Sequence, residues 1–194
     1  MKRVCVFCGS ADGARPGYAD AARALAAELV ARGLGLVYGG GSTGLMGTLA
    51  DAVLAGGGEV VGVIPRGLAA PELAHGGLTE LHLVGNMHER KALMASRSDG
   101  FVALPGGLGT LEDILEVLTW AQLGIHRKPV GLLNAAGYWD GLVTLLRHAV
   151  REGFVRSEHS ALLLAEASPA ALLDRFAAWA PPPGPRVWLD PSQI

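Results

Sequence analysis

Seven short apolar runs recur along the chain with helical stretches between them, and this alternation restricts the possible folds more than any other feature. The runs lie at 4–7, 35–38, 60–64, 81–84, 101–104, 130–133 and 162–164, with helical patterns near 17–32, 44–55, 87–97, 110–123, 139–152 and 169–179. Strands that are apolar throughout are buried on both faces, and strands separated by helices pair in parallel through crossovers. The pattern therefore predicts an α/β domain over 1–180, with a mostly parallel sheet and helices on both faces. Ser168 and Pro169 give the last helix a cap and a first position that needs no amide hydrogen. Pro181-Pro182-Pro183-Gly184-Pro185 stops it, so 181–194 reads as a Pro-rich C-terminal tail, an extended arm with Trp188 free to dock on a neighbour.

Half of the 194 residues are hydrophobic, enough for a substantial core, and 16 basic against 18 acidic side chains leave a net charge of -2. That balance argues against nucleic acid as a partner, since no basic, aromatic-laced stripe exists to hold a phosphate backbone. No uninterrupted apolar stretch has the ~18 residues of a membrane span, and the apolar run after Met1-Lys2-Arg3 is too short for a signal sequence. The expectation is a cytoplasmic protein with no membrane partner. Cys5 and Cys8 have C-x-x-C spacing, but on a strand residues three apart face opposite ways, and no second ligand pair follows. They read as separate small hydrophobes, and the histidines lack metal spacing, so no metal site is expected.

Glycine is concentrated in loops that follow strands. The first, Gly39-Gly40-Gly41-Ser42-Thr43-Gly44-Leu45-Met46-Gly47, opens a helix and can turn its free amides on an anion such as phosphate. Tight-turn packing is the competing explanation. Gly39, Gly41 and Gly44 satisfy G-x-G-x-x-G, yet the next strand ends in Ile64-Pro65-Arg66 without the acid that holds a dinucleotide ribose, and Glu59 lies at its other end. Leu45 occupies the position of a Walker lysine. The second loop, Pro105-Gly106-Gly107-Leu108-Gly109-Thr110-Leu111-Glu112-Asp113, carries a helix start in which Thr110 caps and Asp113 leans back toward the dipole. Together the loops can hold both ends of a phosphorylated ligand.

The combination of Gly40-Gly41-Ser42-Thr43-Gly44-Leu45-Met46-Gly47, Met87-His88-Glu89-Arg90-Lys91 and Pro105-Gly106-Gly107-Leu108-Gly109-Thr110 resembles the LOG ("Lonely Guy") family of cytokinin riboside 5'-monophosphate phosphoribohydrolases. The likeness continues through Thr119-Trp120-Ala121-Gln122-Leu123-Gly124-Ile125-His126 and Lys128-Pro129-Val130-Gly131, covering most of 3–150. It implies a Rossmann-like fold, a homodimer with sites near the subunit boundary, and a nucleoside 5'-monophosphate substrate. The reaction implied is hydrolysis of the N-glycosidic bond to free base and ribose 5-phosphate, with no metal or organic cofactor. Many members carry the label "lysine decarboxylase", but the residues show no pyridoxal-binding constellation to act as electron sink.

By the same resemblance the catalytic pair is Arg90 with the acid at the end of P-G-G-x-G-T-x-x-E, which here is Asp113, one methylene shorter than the family glutamate. Glu112 or Glu116 could share that role. Glu72 and Thr119 match family substrate contacts, and Lys91 adds a second cation. Gly40, Gly41, Ser42, Gly44, Met46 and Gly47 from the first loop, and Gly106, Gly107, Leu108, Gly109 and Thr110 from the second, complete the expected binding set. A carboxylate near the anomeric carbon suits a ribosyl transition state that gathers positive charge, and a helix amino terminus would favour its ionised form. A general purine nucleotide phosphoribohydrolase acting on AMP, or a nucleotide- or cofactor-binding carrier without turnover, are the alternatives.

Overall fold

The computed structural model describes residues 1–69 and 74–181. Its strands are β1 (Arg3–Phe7), β2 (Gly35–Tyr38), β3 (Val60–Pro65), β4 (Glu80–Val84), β5 (Phe101–Ala103), β6 (Val130–Leu133) and β7 (Leu163–Glu166). The helices are α1 (Pro16–Ala31), α2 (Gly44–Ala55), α3 (Met87–Ser96), α4 (Leu108–Gln122), α5 (Asp140–Arg151), the single turn α6 (Ser157–Ser160) and α7 (Pro169–Ala177). The strands pair in the order β4-β3-β2-β1-β5-β6-β7, and every pair is parallel rather than most of them.

Alternation along the strands divides the core in two, except at the edge strand β4, whose Leu81 and Leu83 are exposed because, among the described residues, nothing pairs or packs beyond that edge. In β1, Val4 and Val6 face α1, α2 and α7, while Cys5 and Phe7 face α3, α4 and Trp139. Cys5 and Cys8 accordingly pack on opposite sides of the sheet as free thiols. Burial pushes the Cys8 thiol up to about 12 and raises Cys5 as well, so neither is poised as a nucleophile. Among the described residues no helix is long and apolar enough to cross a membrane.

The chain runs outward from β1 through β2 and β3 to β4, then crosses back to β5 on the other side of β1. The loops after β1 and β5 therefore diverge to opposite faces, and a crevice opens between them at the carboxyl edge of the sheet. Helix starts largely follow local chemistry. Ser168 caps α7 by accepting from the Ala171 amide at 3.5 Å, with Pro169 at the first position. Asn86 caps α3 by accepting from the Glu89 amide at 2.9 Å, and the Glu89 carboxylate returns to the Gly85 amide at 2.7 Å.

The start of α4 differs from the sequence expectation. The cap is Gly107, in extended conformation, and Thr110 lies inside the first turn. A Cβ on Gly106 would stand 2.1 Å from Thr110 Oγ1 and 2.8 Å from the Gly9 amide nitrogen, so the threonine packs against the loop instead of capping the helix. The Pro-rich tail beyond Pro181, with Trp188, lies outside the described residues.

Candidate active site

The loops after β1, β2 and β5 meet at the crevice. Gly44 has φ of +58°, and a side chain there would stand 2.3 Å from the backbone of Ser10 and Ala11. The β1 loop lies directly on the start of α2, and the Met46 amide donates to the Gly9 carbonyl at 3.3 Å. Gly47 performs a similar service within the loop, where a Cβ would meet the Ser42 carbonyl at 2.1 Å. Gly40, at φ +76°, accepts from the His75 amide at 3.0 Å, while Gly41 bridges to Ala74 and its carbonyl accepts from the buried Tyr38 hydroxyl at 3.1 Å. Much of this loop thus serves close backbone packing. Beside it a cleft of about 330 Å³ is lined by Gly9 to Gly13, Tyr18, Leu45, Pro105 to Gly107 and Tyr138. Leu108 and Gly109 at the α4 start are exposed, with the positive end of the helix dipole behind them.

Arg90, in the second turn of α3, is held from two sides. Its Nε donates to the Val63 carbonyl at 3.2 Å, and its Nη2 lies 2.3 Å from where a Cβ on Gly39 would stand. The absence of a side chain at Gly39 is what admits the guanidinium to the strand ends. There Arg90 Nη1 lies 3.8 Å from Asp113 Oδ2, an ion pair too long for a hydrogen bond. Asp113 Oδ1 is buried with no hydrogen-bond partner among the described residues. Burial pushes this carboxyl up to about 6; Arg90 pulls it down, Glu112 and Glu116 add to the rise, and Lys91 opposes it. The helix-dipole expectation of a readily ionised acid is therefore overturned, because α4 begins at Leu108 and places Asp113 in a buried second turn.

Lys91 turns away from the glycine loops. Its Nζ donates to Glu112 Oε1 at 2.6 Å and to Glu116 Oε1 at 2.9 Å, joining α3 to α4. Burial alone would depress this amine, but the two carboxylates outweigh it and raise its pKa. Glu112 is half exposed, whereas Glu116 is more sheltered and keeps a buried Oε2 with no hydrogen-bond partner among the described residues. Thr119 lies about a third of a turn around α4 from Asp113, exposed and donating to the Leu115 carbonyl at 2.7 Å. Glu72 lies outside the described residues.

Arg90, Asp113, Gly39, Gly106 and Thr110 are thus brought to the strand ends, while Thr119 is not. Sequence reasoning passed over the β1 loop, Gly9 to Ala11, and the two tyrosines beside it. The available signal is Gly9, two residues beyond the first strand, since the first strand-to-helix turn of such sheets is where ligands approach the backbone.

An all-parallel sheet with a glycine-lined crevice at its switch point and an arginine-carboxylate pair beside it defines a Rossmann-like α/β protein of the ligand-binding, doubly wound class. Residues 46–176 match the family described as "possible lysine decarboxylase". A probable cytokinin riboside 5'-monophosphate phosphoribohydrolase of Oryza sativa subsp. japonica is 53% identical over 93% of this chain and 86% of its own. Two cytokinin riboside 5'-monophosphate phosphoribohydrolases of Arabidopsis thaliana are 52% identical over 93% of this chain and 79% of theirs, and 57% identical over 80% and 71%. The chain belongs to this family, that of the LOG phosphoribohydrolases. Solved molybdenum cofactor proteins share the fold at low identity. The carrier protein of Chlamydomonas reinhardtii has a TM-score of 0.69 at 21% identity, over 92% of this chain and 99% of its own. The binding protein of Rippkaea orientalis has a TM-score of 0.68 at 20%, over 92% and 97%.

Proposed function

We propose that this chain hydrolyses the N-glycosidic bond of cytokinin riboside 5'-monophosphates, N6-modified derivatives of AMP, to free base and ribose 5-phosphate. The single observation that supports it best is Asp113, buried 3.8 Å from Arg90 with one oxygen unpartnered among the described residues. The names of relatives at 50–57% identity point to the same substrate. As the C1'–N9 bond lengthens, its electron pair leaves with the base and positive charge gathers on the ribose ring. Ionised Asp113 stabilises that charge and accepts a proton from the attacking water, whose hydroxyl ends on C1'; the departing base takes a proton from solvent, and Asp113 then releases its own to solvent. Arg90 opposes the effect of burial and so favours the ionised carboxylate. The exposed α4 start, with Gly106, Gly107 and Thr110, receives the 5'-phosphate.

Release of base from isopentenyladenosine 5'-monophosphate, from AMP and from the unphosphorylated riboside, followed by chromatography with and without EDTA, tests this. Release from the phosphorylated substrates alone, unaffected by EDTA, is expected. Faster release from AMP assigns the enzyme to general purine nucleotides; bound nucleotide with no release at high enzyme concentration makes it a carrier. We also infer a homodimer in the cytoplasm. Exposed Leu108, Leu145 and Phe154 supply apolar surface for association, and two unpaired thiols suit a reducing compartment. Light scattering at working concentration reads the first and cell fractionation the second.

A further inference from the structure

Two helices supply the reacting pair, and the direct contact between Arg90 and Asp113 is too loose to fix the distance between them. Their ion pair is 3.8 Å long. The next residue on α3 does make tight bonds: the Lys91 side chain is buried between the helices, and its Nζ lies 2.6 Å from Glu112 and 2.9 Å from Glu116, two acids that flank Asp113 on α4. We propose that Lys91 is a positioning residue, a charged strut whose two-carboxylate grip sets the separation of Arg90 from Asp113 and offsets part of the negative charge beside it. This deepens the hydrolytic reading above and rests on it for its kinetic consequences.

Three features support the strut. A lysine held by two carboxylates has one ammonium hydrogen left, which suits it poorly to a substrate phosphate. Its partners sit one position before and three positions after Asp113, so both lie within a turn of it on the same helix. The charges acting on the Asp113 carboxyl are Arg90 and Lys91 from α3 and Glu112 and Glu116 from α4, and the Cys5 thiol of β1 feels it in turn. Removing Lys91 leaves two unbalanced negative neighbours on Asp113 and frees α3 to shift against α4.

The test compares wild type, Lys91→Met, Lys91→Arg and Glu116→Gln, with folding checked by circular dichroism. In Lys91→Met the expected kcat is ~10–100-fold lower with KM changed less than ~3-fold, and the acid limb of kcat/KM moves to higher pH. Lys91→Arg recovers most of kcat. Glu116→Gln also lowers kcat but moves the acid limb the other way, because it deletes a negative neighbour; it keeps the proposal testable if the methionine variant does not fold. A substrate-binding lysine would instead raise KM and leave the limb in place, and that result overturns the proposal. Carbon-13 NMR titration of the Asp113 carboxyl reads the same shifts without substrate. Unchanged titration in folded Lys91→Met overturns the strut even if the protein proves to act on another substrate. Absence of base release by wild type overturns only the hydrolytic reading.

Discussion

Buried beside Arg90, the Asp113 carboxyl titrates at about 6, above its ordinary value of 3.8. A raised acid binds its proton more tightly in the native state, so its contribution to stability is fully present below about 3.8 and is lost as pH rises through about 6. Ionised Asp113 therefore destabilises the fold at neutral pH, by on the order of 3 kcal/mol. Asp113→Asn should lose at least ~100-fold in turnover, yet its thermal midpoint relative to wild type should rise between pH 4 and pH 8. Melting curves at both values check the sign. Wild-type kcat/KM should fall below pH 6, where the carboxylate is lost. Gly39→Ala isolates Arg90: the new Cβ would stand 2.3 Å from Nη2, the far end of a long side chain that can swing aside, so turnover should drop ~10-fold or more while stability stays within ~1 kcal/mol of wild type. Kinetics beside urea unfolding decide it. Asp113 and Arg90 were legible from the motifs at this scale, but Gly39 was not, because only the fold shows which side chain a glycine makes room for.

Element boundaries follow the sequence where local chemistry acts alone and depart from it where loops press on a helix. Ser168-Pro169 opens α7 as its residues dictate, whereas Thr110 is drawn against Gly106 and leaves the cap of α4 to Gly107. The start of α2 obeys the same tertiary demand. Gly44→Ala places a Cβ 2.3 Å from the backbone of Ser10 and Ala11 at a left-handed φ, where nothing can swing aside. A loss of about 2–4 kcal/mol is expected from overpacking and backbone strain together. Denaturant unfolding measures it, and a loss below ~0.5 kcal/mol would show that the two loops are not in contact.

At the scale of the molecule, the sheet separates two cores whose residues alternate along every strand but the edge strand β4. Leu25→Ala, in the fully buried centre of α1, should cost about 2–5 kcal/mol, while Leu108→Ala on the exposed α4 start should stay within about 0.5. Calorimetry of both variants tests whether stability resides in the two layers or at the crevice. The sequence by itself determined the alternation of strands and helices, the apolar faces and the chemistry of the glycine loops, because periodicity and turn preference are properties of neighbouring residues. Only the tertiary structure decided the strand order, the switch point between β1 and β5, and the partners of Arg90 and Lys91. Those depend on the side to which each crossover returns and on contacts between helices far apart in the chain, which local patterns do not encode.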